Sequence, residues 1–193
     1  MQMQVGLTEI VKKKVNNLDL SSTADEDLAF CWDTHLIKAG NRNVLLVVNA
    51  SSRYGIAMTD IEPRNWNYFS LYINRVIYFA MATEGYSEEQ ISKYFQLAGN
   101  FILTKTHGKK AIGGINRISV YVDYFGKPLD KDTKYQRELS EYINHDICCP
   151  PGFEEYGLPD ELFYRDMQRL GIVGKKRPTK VIDFMKYIKD KDE

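Results

Sequence analysis

The sequence predicts an α+β fold, a small and mainly antiparallel sheet packed on helices and followed by a helical C-terminal region. Three observations carry this reading. Val44-Leu-Leu-Val-Val48 is an unbroken aliphatic run, the mark of a buried strand. Gly40-Asn41 separates it from an apolar-patterned segment upstream and can take the positive φ of a tight turn. The strongest helical signals come after that stretch, with apolar residues spaced by three and four.

In chain order, Leu7, Ile10, Val11, Val15 and Leu18 predict a short N-terminal helix over about residues 7–17, with Lys12 to Lys14 on its solvated face. A polar connector follows, and then strands over 28–39, 42–50 and 54–59. Trp32 is expected in the core, and Asn49, at the end of a buried strand, is expected to cap the next turn. Pro63 suits an early helix position. Residues 65–83 carry Phe69, Tyr72, Ile73, Val76, Ile77 and Ala80, which predicts the core helix. Gly85 ends it. Ser87-Glu-Glu-Gln90 is a capping box opening a helix to about Leu97. A strand over 101–105, helices over 109–125 and 134–144, a loop over 146–159 and helices over 160–170 and 179–189 complete the prediction. The chain divides into an α+β core domain over 1–127 and a helical C-terminal extension over 128–193.

Composition narrows the function. The 193 residues carry 26 Lys+Arg against 26 Asp+Glu, so the formal net charge is zero, and the surface as a whole is not built to grip nucleic acid. A local basic patch is compatible with that balance. Cys31, Cys148 and Cys149 give neither a disulfide framework nor metal-ligand spacing, and reduced thiols fit a cytoplasmic protein. No leader is expected from the polar, lysine-rich start, and no apolar run approaches the roughly 20 residues that span a bilayer. No metal site and no cofactor is expected. His35, His107 and His145 are not at ligand spacing, and the phosphate-loop ending Gly-Lys-Ser/Thr is missing.

The stretch Thr104 to Arg117 is the candidate site. It holds Lys105, Lys109 and Lys110, the imidazole of His107, hydroxyls at Thr104 and Thr106, and glycines at 108, 113 and 114. Ile112, Ile115, Ile118, Val122 and Phe125 then form a helical stripe. A polar loop thus feeds a helix N-terminus, where free N–H groups and the dipole meet lysines in an anion-binding corner. The predicted binding residues are Lys105, Thr106, His107, Lys109, Lys110, Asn116 and Arg117. Tyr121 and Tyr124 either stack on bases or pack against the fold.

Charge is uneven along the chain. Residues 100–127 and 167–193 are basic and residues 128–166 are acidic, so these segments either guide a mixed-charge partner or neutralise each other within the fold.

Three functional readings stand. The first is a non-enzymatic cytoplasmic binding protein that occludes or bridges a nucleic acid or nucleoprotein target. The second is a metal-independent ribonuclease, in which His107 with Lys105 and Lys109, joined by His35 across the sheet, supplies the base, the acid and the cation that phosphoryl transfer needs. The third is a structural interaction module for which the basic loop is dispensable. Whether the chain is an enzyme is left open between them, and no membrane partner is expected.

Trp32-x-x-His35-Leu36, Arg42-x-x-Leu45-Leu46-x-Val48-Asn49, Thr104-Lys105-Thr106 and Ile112-Gly113-x-x-Asn116, in that order, resemble a family of small uncharacterised bacterial and phage proteins, known as a domain of unknown function. The resemblance covers about residues 28–125. The family pattern has asparagine where His35 stands and arginine where Lys109 stands. The resemblance implies a shared fold and surface. Its phage and mobile-element setting implies a host-interaction role, including counter-defence of the anti-CRISPR kind against a CRISPR effector.

Overall fold

A five-stranded mixed sheet with helices on both faces forms the body of the protein. The structure is a computed structural model and describes residues 2–15, 20–22 and 27–174. The strands are β1 (Gln2–Leu7), β2 (Cys31–Ala39), β3 (Arg42–Asn49), β4 (Gly55–Thr59) and β5 (Asn100–Lys105), in the order β4-β3-β2-β1-β5. The helices are α1 (Glu9–Lys12), α2 (Pro63–Asn67), α3 (Phe69–Thr83), α4 (Glu88–Ala98), α5 (Gly108–Val122), α6 (Arg137–Ile143) and α7 (Pro159–Arg169). The class is α+β, as expected, with 2-3-4 pairing antiparallel.

The N-terminus differs from expectation. Residues 2–7 form a strand inserted between β2 and β5, parallel to both, and the helix after it spans only Glu9–Lys12. Met3, Val5 and Leu7 point into one core while Gln4 and Gly6 point to the other face, a period of two rather than 3.6. Half of the strand pairings are therefore parallel, and the sheet is mixed.

The sheet divides the interior in two. On one face Val5, Trp32, Leu45, Val47 and Ile56 meet Phe69, Ile73 and Ile77 of α3, Tyr94 of α4 and Phe163 of α7. On the other, Val44, Leu46, Val48 and Ala57 meet Ile115, Ile118 and Val122 of α5 and Leu139 and Ile143 of α6. Covered on both faces, β3 is apolar at successive positions instead of alternating. The residues after 127 pack back on the same sheet. The Ala57 N–H donates to the Ser140 hydroxyl, and Asn144 exchanges two 2.8 Å hydrogen bonds with the Gly55 backbone.

Local signals set the ends of elements. Ser87 and Gln90 form the reciprocal capping box at the start of α4. The expected single helix over 65–83 is divided at Tyr68, whose backbone leaves the helical region (φ −118°, ψ 46°). Trp66 and Phe69 stack across the break at 5.5 Å. The helix expected over 179–189 lies outside the described residues.

Trp32 is fully buried, and its Nε1 donates to the Tyr94 hydroxyl at 2.9 Å, which in turn donates to the Ala29 carbonyl at 2.8 Å. Tyr94→Phe leaves the indole N–H without its acceptor. A loss of about 1–3 kcal/mol is expected in urea unfolding, with an unchanged denaturant slope.

Candidate functional site

β2 brings Asp33 to the face covered by α5, where its side chain is 1% exposed. Directly beside it in the sheet is Gly6 of β1. A Cβ on Gly6 would stand 2.0 Å from Asp33 Oδ1 and 2.8 Å from the Thr106 Cα, so only glycine lets the carboxylate and the β5–α5 junction close over β1. His107, the residue before α5, then donates its backbone N–H to Asp33 Oδ1 at 3.2 Å. Its ring Nδ1 lies 2.9 Å from the same oxygen. A carboxylate only accepts, so Nδ1 carries the proton in that bond. Nε2 lies 3.4 Å from Gln4 Oε1, and the His107 side chain is 5% exposed. Asp33 is thus a carboxylate of the chain itself set against the residue that precedes α5.

Next to this cluster is a cleft of about 240 Å³, walled by the Asn49–Arg53 turn, the flank of α5 and the Cys148–Pro151 loop. Asn49 builds the first wall. Its Oδ1 accepts from the Ser51 and Ser52 N–H groups at 3.1 Å, and its Nδ2 donates to the Ala29 carbonyl at 3.0 Å. The turn ends on Arg53, a non-glycine residue at φ 62°. Backbone of that kind costs of order 1–3 kcal/mol and persists only where its surroundings impose it. Arg53 is 5% exposed, and its stem crosses α5 at Gly114, where a Cβ would be 3.2 Å from Arg53 Cδ. The third wall is closed by a two-way backbone bridge between Cys148 and Gly157 and tied to the turn by the Gly152 N–H, which donates to the Ser51 carbonyl at 3.0 Å.

Asp146 fixes the cations of the cleft. Arg117 donates to it from Nε and Nη2, both at 2.8 Å, and Arg53 donates to Oδ2 from Nη2 at 2.8 Å. The Arg117 guanidinium, then that of Arg53, holds the Asp146 carboxyl below its usual range against the opposing effect of burial. Arg53 Nε is buried and has no hydrogen-bond partner within the protein. Lys110 donates from Nζ to the Pro150 carbonyl at 3.0 Å. Three cationic residues, Arg53, Lys110 and Arg117, therefore line the cleft with one acid, Asp33. Burial pushes the Cys148 thiol up, which disfavours a thiolate. Among the described residues no group of three His, Cys, Asp or Glu side chains is placed to hold a metal ion, and no helix is long and apolar enough to cross a membrane.

The structure divides the residues singled out in the sequence. Lys110 and Arg117 line the cleft, and His107 is enclosed beside it. Lys105, Lys109 and Asn116 are exposed and Thr106 is half-buried, none of them in the lining. His35 turns its Nδ1 to the Thr8 hydroxyl at 3.1 Å, so the two imidazoles serve different partners and form no acid–base pair with each other. Tyr121 stacks on Tyr142 at 4.4 Å, a packing role, whereas Tyr124 is exposed. Sequence reasoning missed Asp33, Arg53, Asp146 and Tyr156. Asp33 sits inside the Trp32-x-x-His35 motif, and an arginine after Ser51-Ser52 in a tight turn was a usable signal. Asp146 is 93 residues from Arg53, and nothing local connects them.

Two stability predictions test this geometry. Gly6→Ala is expected to cost about 1–3 kcal/mol by overpacking, read from the shift of the denaturation midpoint. Asp146→Ala leaves Arg53 buried without its counter-charge and is expected to cost about 3 kcal/mol at neutral pH. The Asp146 pKa is lowered by folding, so its contribution is complete above the ordinary value of 3.8 and is lost as pH falls through the folded value. Denaturation of wild type and Asp146→Ala should therefore converge in acid.

A family model described as a domain of unknown function (DUF6933) matches residues 4–162. That span runs from β1 into α7 and contains every residue of the cleft and of the Asp33–His107 cluster. A comparison with curated proteins and one with solved structures each give no match. Matched over most of its length, the chain belongs to the DUF6933 family, a domain of unknown function.

Proposed function

We propose that this chain is a non-enzymatic binding protein that takes a backbone phosphate of a single nucleic-acid strand into the cleft beside α5. The observation that carries the reading is Arg53, a buried guanidinium on a strained turn whose Nε has no partner in a cleft also lined by Arg117 and Lys110. Guanidinium forks and a lysine around a small concavity suit phosphate oxygens. The volume is below that of ordinary ligand pockets, roughly 300–1,000 Å³, which fits one group of a longer ligand rather than a whole cofactor. Exposed Lys105 and Lys109 extend the positive surface towards neighbouring phosphates, and Tyr156, 76% exposed on the rim, offers a face for a base.

The enclosure of His107 favours binding over cleavage. Nδ1 is bound to Asp33, and Nε2, the nitrogen left to act as a base, is turned towards Gln4 in a side chain only 5% exposed, which keeps a ribose hydroxyl from reaching it. In a phage or mobile-element setting, such a binder acts in the cytoplasm by occluding a strand from a nucleoprotein effector.

Fluorescence anisotropy with labelled single-stranded oligonucleotides tests the reading. Affinity is expected to fall with salt at a log–log slope of about −2, and Lys110→Ala with Arg117→Ala is expected to weaken it about tenfold or more and flatten that slope. Absence of salt-sensitive binding at low ionic strength overturns the proposal. Strand cleavage that resists EDTA and is lost in His107→Ala would establish the nuclease instead.

A further inference from the structure

The cleft contains one feature that a phosphate site does not need. Asp33 lines it among the cations, buried to 1% exposure. A carboxylate next to a bound phosphate repels it unless a hydrogen-bond donor of the ligand stands between them. Asp33 has the capacity to receive one. Oδ1 takes both contacts from His107 at 2.9 and 3.2 Å, while Oδ2 has only the long 3.4 Å approach of the His107 N–H. Each carboxylate oxygen offers two lone pairs, so Oδ2 retains acceptor capacity.

A ligand that fills this cleft therefore carries a phosphate towards Arg53, Arg117 and Lys110 and a neutral donor towards Asp33. In a nucleic-acid strand the neutral donor carried beside a backbone phosphate is the ribose 2′-hydroxyl, both donor and acceptor, which DNA lacks. A carboxylate accepting a ribose hydroxyl beside a bound phosphate is an established way of reading the sugar.

We infer that Asp33 selects RNA over DNA by accepting a hydrogen bond from the 2′-hydroxyl of the nucleotide whose phosphate occupies the cleft. The inference rests on the phosphate reading above and adds the class of strand. The same hydrogen bond cannot be made by a 2′-O-methyl sugar, which keeps the ribose pucker but has no donor.

The test uses the full wild-type chain with three oligonucleotides of one base sequence: RNA, DNA and 2′-O-methyl RNA. RNA is expected to bind about tenfold tighter or more than either of the others, the worth of one hydrogen bond to a charged acceptor. Asp33→Asn keeps the side-chain size and the acceptor for the His107 N–H but removes the charge, and it is expected to collapse the preference by raising the affinity for DNA and 2′-O-methyl RNA as the repulsion of the phosphate is lost, with circular dichroism confirming the fold. Equal binding of RNA and DNA, or 2′-O-methyl RNA binding as well as RNA, overturns the role of Asp33 and leaves the phosphate reading standing. Failure of all three strands to bind overturns the phosphate reading itself.

Discussion

The burial of the Asp33 carboxylate near the start of β2 constrains the face of the sheet on which the cleft lies. A charge taken out of water has to be met by hydrogen bonds, and here both come from His107, one from the backbone and one from the ring. For His107 to reach it, β5 must run parallel to β1 and end beside Gly6, and Gly6 must have no side chain. Helix α5 then starts where β5 delivers it, its apolar stripe falls on Val44, Leu46 and Val48, and its other flank becomes a wall of the cleft. The closure of the β5–α5 junction over β1 thus depends on one carboxylate and one missing Cβ.

Much of the fold was legible because its signals are local. The aliphatic run of β3, the turn at Gly40-Asn41, the capping box at Ser87 and the stripe of α5 each depend on residues within a few positions of each other. Asn49 at the end of a buried strand had to satisfy a turn, and it does so with three hydrogen bonds to its Oδ1. The N-terminus was misread because Leu7 belongs to two patterns. It closes the alternation Met3, Val5, Leu7 and also opens a three-four spacing with Ile10 and Val11. Only the parallel pairing of β1 with both β2 and β5 decides between them, and that is a long-range fact.

The candidate site was legible in half for the same reason. The basic stretch over 104–117 pointed to the right helix and named two residues of the cleft, Lys110 and Arg117. The residues that turn that helix flank into a cavity come from elsewhere, Asp33 from β2, Arg53 from the β3–β4 turn and Asp146 from the loop after α6. The basic and acidic segments do meet in the fold. Arg117 pairs with Asp146 and Lys127 with Glu138, a neutralisation that segment charges alone could not distinguish from a partner surface.

That neutralisation is incomplete where it matters. Asp146 faces two guanidinium groups with a single negative charge, and Lys110 bonds a neutral carbonyl. Asp33, the one acid in the cleft lining, already holds the His107 N–H and ring just before α5. The residue before the helix is thus held internally, and three cationic residues line the cleft on the helix flank. A helix end would attract any small anion, whereas this flank combines fixed guanidinium groups with an acceptor in the same cleft. In the binding mode proposed here, attraction and discrimination come from different residues: the cations would set the strength and salt dependence of binding, and Asp33 would set which sugar is tolerated beside the phosphate.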